Sequence, residues 1–462
     1  MERKKVLGFW DLLLFSFCAI FGVEAIATVA AIGPTAISWW LILIVGYFLP
    51  FGLIAAELGA TYPEQGGMYA WVKRAFGDKW AARTTWYYWI ALPIWIPAIY
   101  IACAEIIGWM FFPGLTLEWQ VLIGIAMIWL TVGINLCPLQ WSKWIVNAGS
   151  FTKLVVIAGM FLAAAAFFFQ HGHLANQIDL ANLLPNFNAA VIFIPIIMYN
   201  LLGCELISGA AGEMKDPKRD VPRAVIFSAL AIASLYLVAT LLIWTVVPAA
   251  EISVSSGLVQ MFGIAFNNHP LSGIINICLG AFILATLFSG VVAWTLGENR
   301  VLAEAAENGE MPKIFGAVTR QGVPIGAAVL SGIVSTVVIV VYWFFADNAA
   351  EMFWSVTAFC LVVDLFAYLI LFPAYIILRV KDKKSARPYQ VPGPDWFAVL
   401  LAIMAEAFVL LAVVILSLQP GKDFVWTALP TIGGALISIA IGEWLIRYSF
   451  KAKKNGNLAV GR

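Results

Sequence analysis

The sequence predicts an all-α integral membrane protein of twelve transmembrane helices, and three observations predict it. Hydrophobic residues fill 62% of the 462 positions and charged residues only 11%, where a soluble domain is about a quarter charged. Apolar stretches recur along the whole chain, each near the roughly 20 residues that a bilayer crossing needs. The basic residues between those stretches fall on alternate connections. With a mean hydropathy of +0.92, too few charges remain to coat a water-facing surface of this size. That excludes a soluble enzyme, a nucleic-acid-binding protein and a disordered scaffold.

Apolar runs read against polar breaks place the spans in order. Span 1 (9–32) follows MERKK. No small-residue cleavage site ends a short apolar run there, so the segment is read as a retained span and not as a signal peptide. Span 2 (35–60) stops at Pro63-Glu64-Gln65-Gly66-Gly67, and Lys73, Arg74, Lys79 and Arg83 precede span 3 (82–112). Span 4 (117–137) and span 5 (142–170) flank Lys143, and His171 and His173 sit in the polar loop that follows. Span 6 (190–210) leads to Lys215, Lys218, Arg219 and Arg223, where span 7 (223–247) begins; His269 precedes span 8 (271–299). Arg300, Lys313 and Arg320 lead to span 9 (323–346). Span 10 (352–379) ends in Arg379, Lys381, Lys383, Lys384 and Arg387. Span 11 (395–418), Lys422 and span 12 (425–448) precede a basic tail.

On this map 25 of the 27 Lys and Arg residues lie on one side, the exceptions being Lys422 and, within span 5, Lys153. Basic residues favour the cytoplasmic side, so both termini are expected there, in a bacterial-type inner membrane. Cys18, Cys103, Cys137, Cys204, Cys278 and Cys360 lie in or at the ends of apolar stretches without a CxxC pair. They are read as small core residues, and the three histidines have no ligand spacing. No metal and no cofactor is expected.

Two spans carry similar interruptions. Span 1 contains Cys18-Ala-Ile-Phe-Gly22-Val23-Glu24, and span 6 contains Tyr199-Asn200-Leu-Leu202-Gly203-Cys204-Glu205. Each sets a glycine two residues before a carboxylate near mid-membrane. Glycine weakens a helix, and a charge in hydrocarbon costs several kcal/mol unless satisfied. The second lies five spans after the first, an odd offset, so the second half runs in inverted orientation. Such paired interruptions point to a transporter site built from broken helices, with plain helix packing as the competing reading.

At these residues the chain resembles the amino acid–polyamine–organocation transporter superfamily. The most specific segment is GCELISGAAGEMKDPKRDVPRA (Gly203 to Ala224). ELGATYPEQGGMYAWVKRAFG (Glu57 to Gly77), NRVLAEAAENGEMPKIF (Asn299 to Phe315) and RPYQVPG (Arg387 to Gly393) accompany it. The resemblance implies five plus five inverted-repeat helices of the LeuT type, residues 1–170 and 190–379. It adds two C-terminal helices in 395–448 and a cytoplasmic tail, 449–462, and implies alternating access without ATP. The chain departs from the family in span 1. Where many members carry a G-S-G-I-F-type segment that holds a substrate carboxylate, Gly22-Val23-Glu24 stands here.

Exposed N–H groups at a helix break attract anions, and Glu24 there would compete with a substrate carboxylate while attracting an ammonium or guanidinium. The competing reading makes Glu24 a structural carboxylate. Glu205 resembles the family's span 6 glutamate and is assigned to coupling, against a role in tying span 6 to its neighbours. The resemblance puts the Lys153 ammonium where related folds bind sodium; the rival is snorkelling at a helix end. Tyr199 falls where the family has an aromatic gate with scope for cation–π attraction. Trp294 is a second gate candidate, and Asn200, Leu202 and Cys204 surround the span 6 interruption. Asp364 and Glu105 are read as added negative potential or helix-bundle glue, and Glu406 as an interface residue outside the core.

The function expected is a secondary antiporter exchanging an amino acid and/or its decarboxylated amine, with a cationic amine such as agmatine, putrescine or a monoamine favoured. Its expected partners are those small molecules and the lipid bilayer, with proton coupling left open and no nucleic acid. Proton-coupled uptake of a neutral amino acid is the alternative within transport. A membrane enzyme and a transporter-like sensor are the alternatives from other classes; no nucleophile–base motif favours the enzyme.

Overall fold

The computed structural model describes residues 5–176, 183–185, 194–253, 256–267, 269–344, 349–418 and 429–455, without the side chains of Glu24, 349–355 and 429–430. The described residues form helices and loops, with no strand among them. In order they are α1 (Phe9–Ile20), α2 (Val23–Ala30), α3 (Ala36–Thr61), α4 (Met68–Phe76), α5 (Asp78–Phe111), α6 (Leu117–Asn135) and α7 (Leu139–His171). Then come α8 (Ile194–Tyr199), α9 (Pro217–Val246), α10 (Gly257–Phe266) and α11 (Ser272–Glu307). The last are α12 (Ile325–Trp343), α13 (Ala349–Lys381), α14 (Asp395–Leu418) and α15 (Leu429–Lys454).

Among the described residues nine helices are long and apolar enough to cross a membrane: α3, α5, α6, α7, α9, α11, α12, α13 and α14. Expected spans 1, 6 and 12 are absent from that set: the first two are interrupted, and residues 425–428 of the third lie outside the described residues. Between α1 and α2, Phe21 and Gly22 take extended backbone (φ −75°, ψ 95° and φ −87°, ψ 113°). After α8 the chain leaves the α-helix at Asn200 and resumes as a 3-10 helix, Leu206–Glu213. Gly203 between them has φ +107°, a conformation that disfavours any Cβ. Two short helices escaped the reading of spans. One is α4, which buries Met68 to Val72 and ends in Lys73 and Arg74; the other is α10.

Two other irregularities shape the bundle. In α5, Pro97 has no N–H to give the Pro93 carbonyl, and the Ser335 hydroxyl of α12 donates to that oxygen instead at 2.9 Å. A side chain from a neighbouring helix thus satisfies the carbonyl that the proline leaves without its helical donor. In α3, residues Ile44–Phe48 form a π-helical turn. A Cβ on Gly46 would stand 2.4 Å from Phe408 of α14, so the glycine permits the close approach of α3 and α14.

The core is continuous. The α5 helix packs along α13, α11 along α7 and α5, α9 along α3, and α1 against α7, α9 and α11. Trp39, Trp40, Trp86 and Trp89 all point inward and are buried. Phe161, Leu162, Phe169 and Ile274 are exposed, as lipid-facing residues are. Cys18, Cys103, Cys204 and Cys360 are the small core residues expected, but Cys137 and Cys278 are exposed. In a bilayer both faces of a helix are apolar, so hydropathy does not separate core from periphery. His171 ends α7 and is not a loop residue.

Candidate functional site

A broken helix exposes backbone groups, and each must find a partner in a site that excludes water. At the α1–α2 break the partners are side chains from three other helices. The Lys153 ammonium of α7, itself buried, donates to the carbonyls of Cys18 and Phe21. The Trp294 indole N–H of α11 donates to Ala19 O at 2.9 Å. Tyr236 of α9 completes the set: its hydroxyl proton faces Ile20 O at 2.9 Å, and its oxygen accepts from Gly22 N–H at 2.8 Å.

The same Tyr236 hydroxyl lies 3.1 Å from Asn200 O, at the second break. One side chain therefore joins both interruptions. The ring is held in turn by Phe21 (centroids 4.9 Å apart) and by stacking on Trp40 (4.4 Å). At the second break Asn200 Nδ2 donates to Ile196 O at 2.7 Å, capping the end of α8. A Cβ on Gly203 would come within 3.0 Å of Trp294 and 3.1 Å of Ile20, so this glycine lets the two breaks and α11 meet.

A small cavity opens where the breaks face each other. Its lining includes Gly22, Lys153, Tyr199, Asn200, Leu202 and Trp294 of the residues singled out from sequence. It also includes Trp95, whose ring stands edge-on to Tyr199 (6.2 Å) and to Trp294 (6.4 Å). Aromatic faces attract a cation that has left water. Among the described lining residues none is acidic. Val23, Gly203 and Cys204 lie beside this cavity without lining it. Glu24 is the second residue of α2; its side chain, proposed from sequence as counter-ion, lies outside the described residues.

Glu205 does not line the cavity either. It is buried, and its Oε1 accepts from Tyr88 (2.7 Å) and from Tyr368 (2.8 Å), so it ties the second break to α5 and α13. Asp364 is buried on α13, whereas Glu105 and Glu406 are half-buried.

Sequence reasoning missed Tyr236 and Trp95. A lone tyrosine in an apolar helix carries no signal. Trp95 did carry one, since Pro93-Ile-Trp95-Ile-Pro97 sets an aromatic between two prolines inside one span.

Residues 7–440 match the family model described as amino acid permease. The chain belongs to that family. This permease is 35% identical to a probable agmatine/putrescine antiporter of Lactococcus lactis over 453 residues, 96% of this chain and 95% of that one. An uncharacterised transporter of Legionella pneumophila is 28% identical, covering 96% of this permease and 97% of its own length. A glutamate/gamma-aminobutyrate antiporter of Lactococcus lactis is 25% identical over 85% of this permease and 80% of its own chain. The family and the apolar helices make the permease a multi-pass membrane protein.

Proposed function

We propose that this permease is an antiporter that exchanges an amino acid and/or its decarboxylated amine, with a cationic amine of the agmatine or putrescine class as the favoured substrate. Substrate binds between the two broken helices, and opposite faces of the bundle open in turn. The observation that carries this reading is the cavity between the breaks, whose lining includes Trp95, Tyr199 and Trp294. Cation–π attraction there suits an ammonium or guanidinium. The name of the 35% identical relative supports the same chemistry.

Twelve spans in two inverted fives plus two fit this reading: the nine long helices, the two broken ones and α15. Counted so, the pairing of span 3 with span 10 (α5 on α13) mirrors that of span 8 with span 5 (α11 on α7). Exchanging the halves turns one pair into the other, which supports the repeat. Both termini are cytoplasmic in this arrangement. Lys153 stands in for a bound sodium ion, holding the carbonyls of the first break with its own charge.

Counterflow into proteoliposomes tests the function. Liposomes preloaded with agmatine or putrescine are expected to take up labelled amine at least tenfold faster than empty ones. Uptake that follows a proton gradient and ignores the internal amine would instead establish proton-coupled uptake.

A further inference from the structure

Beyond the cavity, α11 continues past Trp294, and Glu298 lies four residues further on the same face. Glu298, Glu205 after the second break and Asp364 on α13 are all buried, and each carboxylate lies within electrostatic reach of the other two. None is in an ion pair among the described residues. Glu298 Oε2, Glu205 Oε2 and Asp364 Oδ1 are buried oxygens without a hydrogen-bond partner among the described residues. A fourth unpartnered polar atom belongs to another helix. It is the hydroxyl of Tyr47, fully buried and in reach of both Glu205 and Asp364. Tyr47 belongs to the π-helical turn of α3, a distortion that recurs at functional sites.

Buried carboxylates are ordinarily paired, since an uncompensated charge away from water costs several kcal/mol. Here three buried carboxylates lie within electrostatic reach of one another, and the Tyr47 hydroxyl within reach of two of them, with no ion pair to any of them among the described residues; Tyr368, one turn after Asp364 on α13, bonds Glu205 directly. An ammonium has three donors and no acceptor, which complements that set. The separation suits it too: Trp294 and Glu298 are four residues apart, about 6 Å along the axis, a span that a short methylene chain bridges.

We propose that Glu298 and Asp364, with Glu205 and the Tyr47 hydroxyl, form a second subsite that binds the distal cationic group of a dicationic amine whose other end lies against Trp95, Tyr199 and Trp294. This rests on the amine-exchange reading above. The subsite selects dications over monoamines of the same length.

The test uses the full-length permease in proteoliposomes, with putrescine and n-butylamine as paired probes. Glu298→Gln and Asp364→Asn are expected each to raise the putrescine KM at least tenfold and the butylamine KM less than twofold. Tyr47→Phe keeps every charge and is expected to raise the putrescine KM about threefold, which leaves a readout if a carboxylate variant fails to fold. Equal changes for both amines overturn the subsite. So does a fall in kcat with the KM ratio intact, which would assign these carboxylates to holding protons. A wild-type permease that exchanges neither amine overturns the amine reading, and the subsite with it; one that exchanges putrescine while the variants keep its KM overturns the subsite alone.

Discussion

Tyr236 shows how much one hydroxyl can hold. Three backbone groups from two interrupted helices meet it within 3.1 Å, in a position closed to water. Phenylalanine would keep the packing on Trp40 and Phe21 and orphan those groups. An unsatisfied buried polar group costs about 1–3 kcal/mol, so Tyr236→Phe is expected to destabilise the permease by about 2 kcal/mol or more and to slow exchange at least tenfold. Thermal unfolding in detergent and counterflow check the two parts. A variant with wild-type flux would mean that the two breaks are not coupled through this residue. Gly203→Ala acts differently, because the backbone itself refuses the change. With φ +107° and Trp294 at 3.0 Å from the new Cβ, strain of about 1–3 kcal/mol falls directly on the site. Its expected signature is an exchange rate lowered more than tenfold in protein that still elutes as a folded species.

Between elements, the decisive contact lies far from the cavity. Glu57, buried near the end of α3, accepts from Arg379 Nη1 (2.6 and 2.7 Å), Arg387 Nη1 (2.6 Å), the Val391 N–H (2.8 Å) and the Tyr375 hydroxyl (3.2 Å). It binds α3 to α13 and to the RPYQVPG segment. A buried charge pair broken on one side costs about 3–5 kcal/mol, so Glu57→Gln, which leaves Arg379 with Asp395 and Arg387 with the Leu378 and Asp382 carbonyls but removes the buried countercharge, is expected to lower the unfolding temperature by several degrees. An unchanged unfolding temperature would show that water reaches this network. Much at this scale was legible from sequence. Gly22 and Gly203 mark the two interruptions because glycine two residues before a carboxylate contradicts a plain lipid-facing helix. Lys153 was visible as a lone charge inside a span. The π-turn at Ile44–Phe48 was not, since a π-turn changes hydrogen-bond register without altering hydropathy. Nor was the burial of Glu57, which depends on arginines more than 300 positions away.

Across the whole molecule, charge gathers at one end of the bundle, where Arg300 pairs with Glu213, Arg83 with Glu443, Lys453 with Asp78 and Lys143 with Asp11. The Tyr62 hydroxyl adds a hydrogen bond of 2.8 Å to the Asp382 carboxylate. The Ser385 and Tyr62 hydroxyls hold the Asp382 carboxyl down at about 2. Burial, and then Asp382, push the Tyr62 phenol up to about 12. The two shifts have opposite linkage. A depressed carboxyl stabilises the fold above its ordinary value of 3.8 and loses that contribution as pH falls toward about 2. A raised phenol stabilises it below its ordinary value of 10.0 and loses that as pH climbs through about 12. Between about pH 4 and 10 this bond therefore contributes a constant amount. Tyr62→Phe is expected to lower the unfolding temperature equally at pH 5, 7 and 9, and to leave the shape of the exchange–pH profile unchanged. A deficit that grew or vanished across that range would place a titrating group at this end of the bundle. If the deficit is flat, any pH dependence of exchange near neutrality does not come from this bond.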